Sequence, residues 1–156
     1  MAYSPTMVAN NILERSFRDG TYMTPMKLQK ILYFVASEYQ KVTGRPLLED
    51  RFQTWTHGPV IYGVYDEFRS FSRKEIKRYA RNAEGESFRI DESFDPALHE
   101  CLDKVWAATQ NKGAIELSKL THMENSAWDK AYQEDKRYLS NADIAADTTY
   151  KSALGI

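Results

Sequence analysis

An apolar pattern of helical period in the first third of the chain constrains the fold most. Bulky residues recur there at intervals of three and four, which places them on one face of an α-helix. Thr24 and Pro25 provide a capping side chain and a proline suited to the first turn, while Gly44 and Pro46 end the pattern. We therefore predict a core helix between these signals. Its inward positions are Leu28, Ile31, Leu32, Val35 and Tyr39.

Start signals followed by apolar spacing predict five more helices. Each begins at a capping residue, a proline or a glycine break and carries an apolar stripe. The predicted spans are Pro5 to about Gly20, Pro59 to about Phe71, Pro96 to about Asn111, Ala114 to about Thr121, and a segment that starts at Ala127 after a Ser126 cap. In the first helix the predicted inward residues are Ala9, Ile12, Leu13, Ser16 and Phe17.

Two short segments lack helical spacing and favour extended structure. Residues 51–56 place Phe52 and Trp55 among polar neighbours, and residues 88–90 alternate apolar and basic side chains. We predict that they pair as a small two-stranded sheet. The fold class is then mainly α with a minor β element. We expect one compact helical domain over residues 1–156, with a core at about 5–140 and a tail at 140–156 that forms a last weak helix or two turns.

Composition limits the cellular setting and the kind of partner. The chain has 156 residues, of which 42% are hydrophobic and 13% aromatic, and 21 Lys+Arg oppose 22 Asp+Glu. This near-neutral balance gives no general attraction to nucleic acid or to anionic membranes. The first residues lack the basic and apolar parts of a signal peptide, and no run approaches the roughly 18 apolar residues of a membrane span. We predict a cytoplasmic protein.

The residue types that commonly carry catalysis or bind metal are scattered. His57, His99 and His122 lie far apart in the sequence, and His99 and Cys101 would point to different faces of one helix. Cys101, the single cysteine, lies on an apolar stripe, where a buried thiol is the usual outcome. No glycine-rich phosphate loop or serine nucleophile motif is present. We expect a protein that is not an enzyme and uses neither a metal nor another cofactor.

Three segments resemble the Panacea domain of SocA-like and phage-associated antitoxins. The first is Met23–Tyr33, which contains the sequence MKLQKILY. The second is Phe52–Val60, with a tryptophan three residues before GPV. The third is Leu117–His122, the sequence LSKLTH, followed by Trp128. They occur in the family's order and together span most of the chain.

The resemblance implies an antitoxin of a toxin–antitoxin system, often encoded on a prophage. Such a protein neutralises a cognate protein toxin, such as a translation inhibitor or an alarmone-synthetase-like enzyme, by direct protein–protein interaction. Its partner would be the product of the neighbouring gene. An alternative from the same family is a proteolytic adaptor that delivers the toxin to a protease. The toxin's identity, self-association into a homo-oligomer and control of its own operon stay open.

Several motif residues are candidates for binding the partner, each with a structural alternative. Lys27 and Lys30, like Gln29, lie off the apolar stripe, so they form either a surface for a partner or solvated helix positions. Trp55, His57, Gly58 and Pro59 with Tyr62 form either a structural turn or a recognition edge at a helix start. His122 and Trp128 form either a contact site or, as we favour, a packing unit in which the histidine bonds to neighbouring backbone.

A basic run between residues 73 and 81 is the segment that could suggest nucleic acid. It carries five basic residues in nine positions. The favoured interpretation is a solvated helix face, because no helix-turn-helix pattern or aromatic stacking platform accompanies it. The alternatives are a nucleic-acid-binding regulator and a segment that steers an acidic toxin surface towards the protein.

Overall fold

The computed structural model describes residues 2–156 as a bundle of helices around one small hairpin. The predicted fold class, mainly α with a two-stranded sheet, is confirmed. Short 3₁₀ turns at Arg69–Phe71 and Glu92–Phe94 supplement the regular elements. In chain order these are α1 (Pro5–Asp19), α2 (Pro25–Thr43), β1 (Gln53–Trp55), β2 (Gly58–Val60), α3 (Tyr62–Phe68), α4 (Pro96–Thr109), α5 (Ala114–Thr121), α6 (Ala127–Gln133), α7 (Asn141–Ala146) and α8 (Lys151–Leu154).

Helix α2 lies at the centre of the molecule. It packs against α1, α3, α4, α5, α7 and β2, and every residue from Lys27 to Tyr39 is buried. The apolar stripe predicted for it is therefore correct. The prediction that Lys27, Gln29 and Lys30 are exposed is wrong, because neighbouring elements cover the polar side of this helix as well. Within residues 2–156, none of the helices has the length and apolar content needed to cross a bilayer.

The hairpin differs from the predicted strand pairing. Strands β1 and β2 are antiparallel, with Gln53 opposite Val60 and Trp55 opposite Gly58. Pro59 therefore lies within a strand, and α3 starts at Tyr62; the prediction that Pro59 begins a helix is wrong.

Residues 88–90 have a different partner from the predicted one. The Asn10 side chain donates to Phe88 O at 2.8 Å, and the Asn11 side chain both donates to Ile90 O and accepts from Ile90 N. Two amide side chains of α1 thus satisfy backbone groups that would otherwise need a neighbouring strand. The predicted pairing with residues 51–56 is therefore wrong.

Two further predictions, one for Phe17 and one for the basic run, were wrong. Phe17 is 37% exposed, and its ring contacts the edge of Tyr79 at a centroid distance of 5.0 Å. The basic run at residues 73–81 is irregular and does not form a helix. Within it, Arg78 pairs with Glu67 at 2.8 Å and lies over the Phe68 ring, so this cation is engaged within the fold.

The C-terminal tail is tied to α2. Tyr150 is fully buried, and its hydroxyl donates to Glu38 Oε2 at 2.5 Å and lies 2.9 Å from Ser37 Oγ. The carboxylate of Asp147 accepts from the Tyr33 hydroxyl at 2.5 Å. The tail therefore contributes buried residues to the same apolar core as α1 and α2.

Candidate partner-binding surface

The turn of the hairpin is held by polar side chains from α5 and α6. Ser118 Oγ donates to the carbonyl oxygen of His57 at 2.5 Å. His122 Nε2 lies 3.0 Å from the carbonyl oxygen of Thr56. Burial lowers the pKa of His122 although this hydrogen bond opposes the shift, so the neutral tautomer that carries its proton on Nε2 fits the contact.

Two more contacts complete the attachment of the hairpin. Trp128 Nε1, from α6, donates to the carbonyl oxygen of Trp55 at 2.8 Å. From α2, Lys30 Nζ donates to Pro59 O at 3.1 Å, and Gln29 bonds both the N–H and the carbonyl of Ile61 at 3.0 Å. The three segments that resemble the Panacea domain therefore meet at one place, where the first and third clamp the backbone of the second.

Gly58 is required by the close approach of the turn to its supports. Its φ is +120°, a conformation that side-chain-bearing residues rarely adopt. A Cβ atom at this position would lie 2.5 Å from Thr121 Oγ1 and 3.1 Å from Lys30 Nζ. Only glycine therefore lets the hairpin rest on α5 and α2.

On one side of the hairpin, aromatic rings form a cluster that reaches solvent. The Trp55 and Tyr65 ring centroids lie 4.8 Å apart in an edge-on arrangement. Tyr62 packs 5.9 Å from Tyr65 and is 45% exposed. His57, at the tip of the turn, is also exposed.

On the other side, α6 extends the aromatic surface. Trp128 stacks on Tyr132 at a centroid distance of 4.8 Å and an interplanar angle of 12°, and His122 meets the Trp128 ring edge-on at 4.4 Å. Tyr132 is 59% exposed. Sequence reasoning missed Tyr132, although its spacing of four residues from Trp128 on a predicted helix was a usable signal. We call the whole patch the hairpin surface: Trp55, His57, Tyr62, Tyr65, His122, Tyr132 and Trp128, of which Trp128 is itself buried.

An open cavity of about 610 Å³ lies between the hairpin and the start of α2. Most of its wall is apolar. Lys30 is the buried cation among its lining residues, and burial lowers the pKa of the Lys30 ammonium to about 7. The apolar wall comes from Pro25, Met26, Trp55, Val60 and Tyr65.

Eight of the nine candidate residues come together at the hairpin or beneath it. Lys27 does not: its Nζ donates to Gln110 O at 2.6 Å, which satisfies a carbonyl at the C-terminal end of α4. The gathered residues are Lys30, Trp55, His57, Gly58, Pro59, Tyr62, His122 and Trp128.

The fold and this site define a mainly helical domain built around a clamped hairpin. The chain belongs to the family described as "Antitoxin SocA-like, Panacea domain", whose profile matches residues 28–129, well over half of the sequence. It is similar to Antitoxin SocA of Caulobacter vibrioides (strain NA1000 / CB15N), with 28% identity over 125 residues. That similarity covers 78% of this chain and 66% of the relative's length. No solved structure matches.

Proposed function

We propose that this protein is an antitoxin that binds a cognate protein toxin directly through the hairpin surface and blocks it. The main support is that the three segments typical of the family meet at one hairpin, and that the exposed side of this hairpin is aromatic. The toxin is a translation inhibitor or an alarmone-synthetase-like enzyme, encoded by the neighbouring gene. In this proposal both proteins meet in the cytoplasm.

The physical support is the combination of exposed aromatic rings with a rigid base. Aromatic side chains are efficient interface anchors, and anchors that are already fixed lose little conformational entropy on binding. Trp55, His122 and Trp128 are each fixed by hydrogen bonds at 2.8–3.0 Å. A stable complex needs roughly 800 Å² buried per partner, so we expect the interface to extend beyond this patch.

The action we propose is binding and not catalysis. Cys101, the sole thiol, lies on the buried face of α4, and burial raises its pKa to about 11. The thiolate form required of a nucleophile is therefore strongly disfavoured at neutral pH.

Co-expression with the neighbouring gene's product tests the proposal. We expect the toxin alone to arrest growth, the pair to grow, and the two proteins to purify as a complex. Growth that stays arrested, together with no recovered complex, would refute direct neutralisation. Toxin lifetime in cells with and without their cytosolic proteases separates masking from delivery, since an adaptor requires loss of the toxin.

Truncating the two most exposed tyrosines of the hairpin surface tests whether the toxin binds there. We expect the double variant Tyr62→Ala, Tyr132→Ala to bind the toxin at least about tenfold more weakly, because such anchors each contribute more than about 1 kcal/mol. Phe94→Ala is the matched control: Phe94 is 85% exposed in the 3₁₀ turn before α4, outside the hairpin surface. Equal toxin affinities of the two variants, measured by calorimetry, would exclude the hairpin surface.

A further inference from the structure

Lys30 is a buried cation beside open space. Its side chain is 1% exposed, and Pro59 O is the acceptor that its ammonium reaches among residues 2–156. An ammonium group has three hydrogens to donate. By contrast, the buried guanidinium of Arg15 pairs with the carboxylates of Glu92 and Asp103 at 2.7–2.8 Å. Burying the Lys30 charge is therefore unfavourable, because no anion among residues 2–156 offsets it.

A second polar group at the same cavity is also unsatisfied. Thr54 lines the cavity, and its hydroxyl oxygen is the buried side-chain atom without a hydrogen-bond partner within residues 2–156. Unsatisfied buried polar groups are rare in folded proteins and call for an explanation. An ammonium and a hydroxyl without a partner, in a wall that is mostly apolar, match a carboxylate attached to an apolar group.

The groups that face Lys30 do not compete with such an anion. Gly58 of β2 lies beside the ammonium, Thr121 of α5 lies on Gly58, and both residues are neutral. His122 interacts electrostatically with Lys30 and with His57, and neither histidine is an acid. Burial lowers the pKa of Lys30, and among residues 2–156 its ammonium forms a hydrogen bond to Pro59 O and no ion pair with a carboxylate.

We propose that the cavity receives a carboxylate side chain of the bound toxin, flanked by an apolar residue, and that this carboxylate pairs with the Lys30 ammonium. The inference rests on the proposed function, since the cavity shares Trp55 and Tyr65 with the hairpin surface. Burying the apolar neighbour against Met26 and Trp55 supplies affinity, while the ion pair supplies specificity for an acidic partner.

Proton linkage gives this contact a characteristic pH dependence. The free protein holds Lys30 with a pKa of about 7, and a bound carboxylate raises that pKa. Affinity is then greatest below pH 7 and falls as the pH rises from 7 to the pKa of the complex. Each unit by which the pKa is raised corresponds to about a tenfold loss of affinity across that window.

The cavity can be tested on the isolated protein with capped tripeptides. We expect Ac-Phe-Glu-Phe-NH₂ to bind at least about tenfold more tightly than Ac-Phe-Gln-Phe-NH₂ at pH 6.5 and to raise the Lys30 pKa, followed by NMR on ¹⁵N-lysine-labelled protein. Equal binding of the two peptides would overturn the proposal. Binding of 3-phenylpropionate without binding of the glutamate peptide would also overturn it, because the source would then be a small molecule.

Variants at both polar groups keep the test independent of folding. Lys30→Met should abolish the difference between the two peptides, whereas Lys27→Met, which removes a neighbouring buried ammonium outside the cavity, should preserve it. Because Lys30→Met also removes the bond to Pro59 O, Thr54→Val serves as a milder second variant. It leaves Lys30 in place and should weaken binding of the glutamate peptide about threefold to tenfold. Unchanged binding by Thr54→Val and Lys30→Met would refute the site.

The toxin complex separates this inference from the proposed function. If wild-type protein neutralises the toxin but Lys30→Met binds it as tightly as Lys27→Met does, the cavity contact is wrong and the antitoxin role stands. If wild-type protein fails to neutralise the toxin, the proposed function fails, and the peptide titration still decides whether the cavity recognises a carboxylate.

Discussion

At the scale of single residues, the polar members of the three motifs serve the hairpin backbone. Gln29, Lys30, Ser118, His122 and Trp128 all bond to main-chain groups between residues 55 and 61. These bonds satisfy carbonyls of residues 55–61 and the N–H of Ile61, which explains why polar side chains lie inside or beside the core here. His122 bonds to the backbone of Thr56, as expected of a packing unit, and its ring also belongs to the hairpin surface.

Replacing Gly58 with alanine should destabilise the protein by about 2 kcal/mol or more. Positive φ costs a side-chain-bearing residue about 1–2 kcal/mol, and the added Cβ would press on Thr121 Oγ1 at 2.5 Å. Urea unfolding measures the change. Gly63→Ala is the control: nothing lies within 4 Å of its added Cβ, and alanine in α3 should leave the stability unchanged or raise it by up to about 1 kcal/mol. A Gly58→Ala protein as stable as the control would contradict the clamped turn.

At the scale of elements, most helix starts followed local signals, whereas the hairpin and the start of α3 did not. Thr24 and Ser126 each accept a hydrogen bond from a backbone N–H in the first turn of their helix, as predicted from sequence, and Asp95 does the same before α4. Strand pairing depends instead on which chain segment lies alongside, and α1 placed Asn10 and Asn11 beside residues 88–90. Local residues therefore predicted the helices, and tertiary placement decided the pairing.

Removing the cap of α6 should cost about 1 kcal/mol of stability. Ser126 is buried, and its Oγ accepts from Asp129 N at 3.0 Å, so Ser126→Ala leaves that N–H without its partner. Thermal unfolding with circular dichroism detects the loss. Ser4→Ala provides the comparison: Ser4 occupies the equivalent position before α1 but makes no side-chain cap bond, and its replacement should change little. Similar losses from both substitutions would show that the cap bond is unimportant.

At the scale of the whole molecule, α2 and the tail hold the parts together. Glu38 of α2 is 2% exposed and binds Lys104 of α4 at 2.7 Å and Lys151 of α8 at 3.0 Å. The Tyr150 hydroxyl completes this cluster. The sequence predicted only a weak final helix here, because short polar segments carry little periodic signal and their burial depends on what they meet.

The tail's attachment can be tested at Tyr150. Tyr150→Phe keeps the buried ring and removes the hydroxyl that donates to Glu38, and the expected loss is about 1–3 kcal/mol in the free energy of unfolding. Tyr138→Phe is the control, since the contacts of Tyr138 with Arg51 and Arg137 are made by its ring. Urea titration should leave the control within about 0.5 kcal/mol of wild type. A neutral Tyr150→Phe would mean that the tail's polar bonds do not stabilise the fold.

The sequence by itself determined the helices, their apolar faces, the mainly α class and the motifs that mark the family. Those features depend on periodicity, capping and turn residues, which act over a few positions along the chain. Only the tertiary structure decided that Lys30 is buried and Lys27 supports α4, that Pro59 lies in a strand, and that Tyr132 joins the aromatic patch. The reason is that each of these outcomes depends on contacts between residues far apart in sequence. The elements packed around α2, for example, decide whether its polar residues are buried.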